Sequence, residues 1–145
     1  MSKAKVLFLC TGNSCRSQMA EGWSRHLHPD ILEPYSAGVI KQGLDLRAVR
    51  VMSEAGVDIA GQSSKTIEEL PTEEFAAVIT LCDQANESCP LFPGDYLRLH
   101  QGFEDPPLLA GQADTEQEAL EHYRRIRDEI RRFVQGLPDI LATKA

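Results

Sequence analysis

Short apolar runs alternate along this chain with longer segments in which apolar residues recur every three or four positions. Such runs are typical of strands buried in a sheet. The two clearest runs occupy residues 5–10 and 75–82, and shorter ones occupy residues 33–37 and 96–100. The pattern therefore predicts four strands.

Two segments with helical spacing of apolar residues predict long helices. The first covers residues 17–27, and its apolar face repeats at Met19, Trp23 and Leu27. The longest helix falls within residues 114–137, where Thr115 and Glu118 have the spacing of a capping box. Its predicted inner stripe consists of Tyr123, Ile126, Ile130, Phe133 and Leu137.

A third helix is predicted at residues 45–55, with Asp45 as its N-cap and Gly56 as its stop. We expect the inward face of this helix to consist of Leu46, Val49 and Met52. Residues 66–70 predict a short helical turn. Residues 83–94 predict a loop or a short helix that is interrupted by prolines.

The alternation of strands and helices predicts an α/β fold with right-handed crossovers and a parallel sheet. Ligands of such sheets bind at the carboxyl ends of the strands. Cys10 and Cys82 both fall at predicted carboxyl ends of core strands. If these two strands are neighbours, both thiols face one crevice.

Length and charge restrict the possible functions. The 145 residues predict a single domain over residues 1–145, and the net charge of −7 argues against nucleic acid or an anionic membrane as a partner. No signal peptide and no apolar run of membrane-spanning length is apparent, so we expect a cytoplasmic protein with reduced thiols. Arginines within residues 124–132 alternate with acidic residues and predict a solvated, salt-bridged helix face.

A cysteine, five residues and an arginine separate the first strand from the first helix. Here the backbone N–H groups and the helix N-terminus can bind a tetrahedral oxyanion, and the planar fork of Arg16 can bind two of its oxygens. The same positive field favours a nucleophilic thiolate at Cys10. The alternative is a buried cysteine beside a surface arginine. The predicted oxyanion-binding residues are Thr11, Gly12, Asn13, Ser14, Cys15 and Arg16.

The four cysteines form two sequence pairs, Cys10 with Cys15 and Cys82 with Cys89. Their spacings are wider than those of a usual zinc knuckle, and a static disulfide framework is unusual in a reducing compartment. Transient redox chemistry fits better: Cys82 attacks an adduct on Cys10, and Cys89 then resolves the Cys10–Cys82 disulfide. For Cys82 alone, the alternative is a small buried apolar residue. For Cys15 we favour a structural role, and an off-pathway disulfide with Cys10 is the alternative.

Asp105-Pro106-Pro107 predicts a rigid turn. An aspartate held on such a turn near the oxyanion can protonate a leaving oxygen. Asp-Pro alone is a common turn, but a Cys-x5-Arg loop in the same chain favours a catalytic acid at Asp105.

Six blocks in the same chain resemble the thioredoxin-coupled arsenate reductases, which share the fold of the low-molecular-weight tyrosine phosphatases. The blocks cover residues 10–23, 35–38, 78–82, 89–90, 102–106 and 127–130. The resemblance extends over nearly the whole chain. It implies a three-layer α/β fold, in which a four-stranded parallel sheet is flanked by helices.

The resemblance also implies a mechanism. Arsenate, which phosphate or sulfate can mimic, binds the loop; Cys10 attacks arsenic while Asp105 protonates the departing oxygen and Ser17 holds the thiolate. Cys82 then releases arsenite, Cys89 takes over the disulfide, and thioredoxin reduces it. No metal and no organic cofactor is expected, because the electrons come from thioredoxin.

Two positions depart from the family pattern, and a third differs from the phosphatases. Some members bind a monovalent cation through residues that match Asn13, Glu21, Ser36 and an aspartate, but Lys65 stands at the last position here. We therefore expect no potassium dependence. Gln101 stands where the family often has a tryptophan, and Pro107 stands where the phosphatases often carry an aromatic residue.

Other functions remain open at this point. A low-molecular-weight protein tyrosine phosphatase needs only Cys10, Arg16, Ser17 and Asp105. In such an enzyme Cys82 would have no catalytic role. A non-catalytic anion sensor, or the same chemistry with another thiol donor, is a further alternative. We expect a monomer with weak phosphatase side activity.

Overall fold

The computed structural model describes residues 3–143. Four parallel strands form one sheet in the order β2-β1-β3-β4. Their bounds are β1 Ala4–Cys10, β2 Leu32–Gly38, β3 Ala77–Thr80 and β4 Leu97–His100. The predicted α/β fold with a four-stranded parallel sheet is confirmed.

Residues 3–143 also form six α-helices and one short 3₁₀ helix, Ile67–Glu69. The α-helices are α1 Arg16–Leu27, α2 Leu46–Glu54, α3 Asp83–Ser88, α4 Pro106–Gln112, α5 Glu116–Gln135 and α6 Leu137–Thr143. Consecutive side chains of a strand point to opposite faces of the sheet. In β1 the consecutive residues Val6, Leu7 and Phe8 are all fully buried, so both faces of the sheet are covered. Within residues 3–143, no helix has both the length and the apolar character needed to cross a membrane.

The strand β3 is shorter than the apolar run that predicted it. Phe75, Leu81 and Cys82 are buried but lie outside the paired segment. Leu81 still donates a backbone hydrogen bond to Leu9 O at 2.9 Å. An apolar run in the sequence indicates which residues are buried. The ends of a strand depend instead on where the neighbouring strand stops.

The helix α2 begins and ends as predicted, but one residue of its inward face was wrong. Asp45 caps the helix by accepting from Arg47 N and Ala48 N, and Gly56 follows its end with a φ of +86°. Leu46 is 81% exposed, because as the first helical residue it points away from the sheet. The buried face consists of Ala48, Val51 and Met52, with Val49 half-buried beside it.

Two helices were missed in the C-terminal part. The predicted rigid turn at Asp105 is the N-cap of α4, and Pro106 and Pro107 are its first two residues. Proline suits this position because its missing N–H has no partner in the first turn of a helix. The predicted long helix ends at Gln135, and α6 follows after Gly136.

The N-terminal cap of α5 differs in one detail from a capping box. Thr115 accepts from Glu118 N at 3.1 Å, as expected, but the Glu118 carboxylate accepts from Asp114 N and not from Thr115 N. Along the inner stripe Phe133 is only half-buried, and Val134 is buried instead. The solvated face carries the expected ion pairs, together with contacts to Glu54 of α2 and to Glu104.

Candidate active site

The loop between β1 and α1, residues 11–15, is held from outside by a second loop, residues 39–45. Thr11 O accepts from Ile40 N, Gly12 O from Gln42 N and Ser14 O from Asp45 N, each at 3.0 Å. In a trans peptide the N–H points opposite to the C=O. The N–H groups that follow these carbonyls therefore face away from the backbone of residues 39–45.

Asn13 fixes the shape of this anion loop. Its φ of 48° lies in the left-handed region, which asparagine tolerates better than most residues. Asn13 Nδ2 donates to Ser17 Oγ at 2.9 Å, and Asn13 Oδ1 accepts from Lys65 N at 2.8 Å. Asn13 is fully buried, so these bonds are shielded from water.

The predicted nucleophile lies at the end of β1, beside the first turn of α1. Cys10 Sγ is 2.9 Å from Ser17 Oγ, and Cys10 is 3% exposed. Because Ser17 Oγ already accepts from Asn13, its own hydrogen is available for the sulfur. A hydroxyl hydrogen directed at Sγ stabilises the thiolate of Cys10.

Arg16 and Asp105 lie next to each other at the wall of one pocket. Arg16 Nη1 donates to Phe103 O at 2.9 Å, which fixes a guanidinium that is nearly buried. Arg16 Nη2 lies 3.8 Å from Asp105 Oδ1, whose side chain is 43% exposed. The pocket that both residues line has a volume of about 330 Å³, and its walls are formed by Cys10, Thr11, Gly12, Ser14, Cys15, Arg16, Gln42, Gln84, Asp105 and Pro107.

The second predicted redox cysteine lies at the edge of the same loop. Cys82 follows β3, the sheet neighbour of β1, so the two carboxyl ends are adjacent as the topology predicts. Cys82 Sγ is 3.2 Å from Thr11 Oγ1 and accepts from Ala85 N at 3.4 Å. Both contacts fix the position of the Cys82 sulfur beside the anion loop.

Cys89 lies at the opposite end of α3, where it is half-buried and donates to Pro90 O at 3.5 Å. Cys82 and Cys89 are seven positions apart, a separation that spans about 10 Å along a helix. Cα atoms joined by a disulfide lie about 5.5–6 Å apart. Cys89 therefore reaches Cys82 only if α3 unwinds. Burial raises the pKa of the Cys89 thiol, and the charge of Arg98 partly offsets this rise.

A model of the low molecular weight phosphotyrosine protein phosphatase family matches residues 5–145. The chain belongs to this family. An arsenate reductase of Bacillus licheniformis is 47% identical to it over 130 residues, which cover 90% of this chain and 91% of that protein. The resemblance to arsenate reductases is therefore confirmed.

Solved structures of arsenate reductases are also similar to this chain. An arsenate reductase in the phosphate-binding state superposes with a TM-score of 0.74 and 30% identity, over 98% of this chain and 99% of that one. A thioredoxin-dependent arsenate reductase of Corynebacterium glutamicum superposes with a TM-score of 0.70 and 25% identity. The match covers 99% of this chain and 64% of that one.

Cys15 is buried like Cys10 in this phosphatase-family chain. It is 4% exposed and belongs to the hydrophobic core. Burial, followed by the nearby Asp45, raises the pKa of the Cys15 thiol well above its usual range. Cys15 is thus held as a neutral thiol, which fits the structural role that we favour for it.

Lys65 stands at the position where the resemblance implies an aspartate of a cation site in some family members. Its Nζ donates to Ser63 O at 2.8 Å and to Ser36 O at 3.4 Å. Ser36 Oγ in turn donates to Glu21 Oε1 at 2.5 Å. The ammonium therefore lies beside the residues named for the cation site. Within residues 3–143, no group of three or more His, Cys, Asp or Glu side chains is arranged to hold a metal ion.

The structure brings the predicted site residues together, with Cys89 set apart at the far end of α3. Asn13 and Ser17 support the loop from behind and do not line the pocket. Sequence reasoning missed Gln42 and Gln84. For Gln84 a local signal existed, since it lies two residues after Cys82 in a helix that starts at the pocket. No local sequence signal indicated Gln42, because its position depends on the packing of residues 39–45 against the anion loop.

Proposed function

We propose that the protein reduces arsenate to arsenite through a relay of three cysteines that thioredoxin regenerates. The observation that carries this proposal is the position of Cys82. Its sulfur lies 3.2 Å from the hydroxyl of Thr11, the residue that follows the nucleophile Cys10. Hydrolysis of a phosphate ester needs no second thiol at this place, whereas reduction of an oxyanion does.

The anion loop binds the substrate. Its inward N–H groups and the guanidinium of Arg16 donate to the oxygens of arsenate, which has the same tetrahedral shape as phosphate. Local donors are needed for this, because the chain carries a net charge of −7. The same donors stabilise the charge that develops when arsenic is attacked.

In the first step the Cys10 thiolate attacks arsenic. A sulfur–arsenic bond forms and one arsenic–oxygen bond breaks. Asp105, which lies 3.8 Å from Arg16, gives its proton to the departing hydroxyl group of arsenate, which already carries one proton and so leaves as water. Ser17 holds the thiolate in place before the attack.

In the second step the Cys82 thiolate attacks Cys10 Sγ. The sulfur–arsenic bond breaks, and its electron pair stays on arsenic, which leaves as arsenite. Arsenic is thereby reduced by two electrons, and the two thiols are oxidised to the Cys10–Cys82 disulfide.

In the third step Cys89 attacks Cys82 Sγ after α3 has unwound. The Cys82–Cys89 disulfide forms, and Cys10 leaves as a thiolate, ready for another turn. The dithiol of thioredoxin then reduces the disulfide. The short polar helix between the two cysteines supports this step, since a helix of six residues is marginal by itself.

The relatives support the substrate and the electron donor. A 47% identical protein is an arsenate reductase, and a structurally similar one is thioredoxin-dependent. We place the reaction in the cytoplasm, where thiols are kept reduced, and assign it to arsenic detoxification. The protein acts as a monomer.

A weak phosphatase activity is a second candidate. The family and the set of Cys10, Arg16 and Asp105 around one pocket favour it. Such a reaction forms a phosphocysteine at Cys10, which water then hydrolyses. It needs neither Cys82 nor Cys89.

The test is NADPH consumption with arsenate, thioredoxin and thioredoxin reductase, measured for the wild type, Cys82→Ser and Cys89→Ser. We expect turnover in the wild type and near-total loss in both variants. Hydrolysis of para-nitrophenyl phosphate is the control and should persist in all three. An inactive wild type that hydrolyses this ester well would instead assign the protein as a phosphatase.

A further inference from the structure

The loop of residues 39–45 both supports the anion loop and delivers a side chain to the pocket. Gln42 N donates to Gly12 O at 3.0 Å, so its backbone is fixed next to the anion loop. The next residue, Gly43, has a φ of +84°, and Gly43 N donates to Ser64 Oγ at 3.2 Å. This turn directs the Gln42 side chain back over the anion loop.

The Gln42 side chain lies against Gly12. A Cβ placed on Gly12 would lie 2.8 Å from Gln42 Cγ and 2.6 Å from Gln42 Cδ, distances that real Cβ atoms do not adopt. Gly12 therefore leaves the space that the glutamine fills. The same side chain lines the pocket together with Cys10 and Arg16.

Gln42 lies on the rim of the pocket, where its side chain is exposed. The other lining residues that extend from outside the anion loop are Gln84, Asp105 and Pro107. Attack by Cys10 from the base of the pocket requires the departing oxygen to point in the opposite direction, toward this rim. In arsenate that position holds a bare oxygen or hydroxyl, but in a phosphate monoester it carries the organic group.

We propose that Gln42 is a specificity-determining residue, whose amide donates to the outward oxygen of a bound oxyanion and covers the mouth above Gly12. The neutral amide offers N–H donors without a fixed charge. An ester oxygen is a poorer acceptor, and its organic group competes with Gln42 for the same space. Gln42 thereby favours free oxyanions over phosphate esters. This inference deepens the proposed function, on which it rests for the identity of the substrate.

The experiment compares Gln42→Ala with the wild type in three assays. These are the KM and kcat for arsenate, the Kd of inorganic phosphate by calorimetry, and kcat/KM for para-nitrophenyl phosphate. Loss of one hydrogen bond to a charged group predicts a rise of about tenfold in the arsenate KM and the phosphate Kd, with kcat unchanged. The ester kcat/KM should stay constant or rise, so that the preference for arsenate falls at least tenfold.

Two further variants control this result. Gln117→Ala makes the same change at an exposed position of α5 and should leave all three assays unchanged. Gln42→Glu keeps the size of the side chain but points carboxylate oxygens at the oxyanion, so it should raise the phosphate Kd more than Gln42→Ala does. If Gln42→Ala does not fold, Gln42→Glu still tests the inference.

An unchanged phosphate Kd and arsenate KM in Gln42→Ala and Gln42→Glu would overturn the inference while the proposed reduction stands. If the wild type reduced no arsenate, but both variants weakened phosphate binding about tenfold, the proposed function would fail and the role of Gln42 at the oxyanion would stand.

Discussion

The hydroxyl of Thr11 lies 3.2 Å from the sulfur of Cys82, although the two residues are 71 positions apart in the chain. The contact joins the anion loop to the start of α3. Once Cys82 is a thiolate it can only accept, so Thr11 is the donor. Thr11 thus belongs both to the anion loop and to the surroundings of Cys82.

Thr11→Val removes this donor and keeps the shape of the side chain. We expect the attack of Cys82 on the Cys10 adduct to slow about tenfold, because the thiolate loses one charge-assisted hydrogen bond. Rapid-quench measurement of arsenite release in a single turnover gives this rate. Thr11→Ser keeps the hydroxyl and should retain most of the wild-type rate. Equal rates for Thr11→Val and Thr11→Ser would show that the hydroxyl has no part in this step.

The pH dependence of the third step follows from the thiol of Cys89. Burial holds its pKa above the ordinary value of 9.0, so only a small fraction is ionised at neutral pH. The rate at which Cys10–Cys82 converts to Cys82–Cys89 should therefore rise close to tenfold per unit between pH 7 and 8, as the thiolate fraction rises. Acid quenching followed by disulfide mapping gives the rate at each pH. A flat profile would contradict the account.

Arg98 provides a variant for the same step. Its charge lowers the pKa of Cys89, and its Nη2 donates to Asn86 O at 2.9 Å, in the last turns of α3. Arg98→Met should raise that pKa further and slow disulfide transfer several-fold at pH 8, while Arg98→Lys should preserve the rate. The release of arsenite in the first turnover precedes this step and should not change in either variant.

A partly buried hydrogen bond between Tyr123 and Asp45 joins α5 to the loop of residues 39–45. Tyr123 Oη donates to Asp45 Oδ2 at 2.6 Å, and Asp45 also caps α2. Tyr123→Phe should lower the free energy of unfolding by about 1 kcal/mol, as measured by urea denaturation. Tyr96→Phe is the comparison. The Tyr96 hydroxyl accepts from Phe92 N at 3.1 Å, a bond without a charged partner, so its loss should cost less. A larger loss in Tyr96→Phe than in Tyr123→Phe would refute this ranking.

The ammonium of Lys65 leads to a prediction about salts. It lies 2.8 Å from Ser63 O and 3.4 Å from Ser36 O, where a bound cation would otherwise contact oxygen ligands. Steady-state arsenate reduction should therefore be equal in potassium chloride and sodium chloride at matched ionic strength. Several-fold activation by potassium over sodium would count against a substitution of the cation by Lys65.

The parts of the fold and of the site that could be predicted are those encoded within a short stretch of chain. The anion loop is one example: a strand, a Cys-x5-Arg segment and a helix follow one another within residues 4–27. The neighbouring positions of Cys10 and Cys82 could also be predicted, because parallel strands bring their carboxyl ends to one edge of the sheet.

The parts that could not be predicted depend on contacts between distant segments. Leu46 looked like an inward residue by periodicity, but Asp45 is held at Ser14 O, and this sets where α2 begins and which way Leu46 points. Asp105 was expected on a rigid turn, yet the prolines after it begin α4. Gln42 reaches the pocket only because residues 39–45 cross the anion loop, which no local pattern reveals.

The most direct test of the relay is a single turnover of Cys89→Ser with excess arsenate and without thioredoxin. The wild type has four cysteines, so the variant keeps three, and Cys10 and Cys82 are the two that react. We predict one arsenite per chain, a fall in free thiols from three to one, and a Cys10–Cys82 disulfide in the peptide map. No arsenite and three remaining thiols, with para-nitrophenyl phosphate hydrolysis intact, would contradict the proposed reduction.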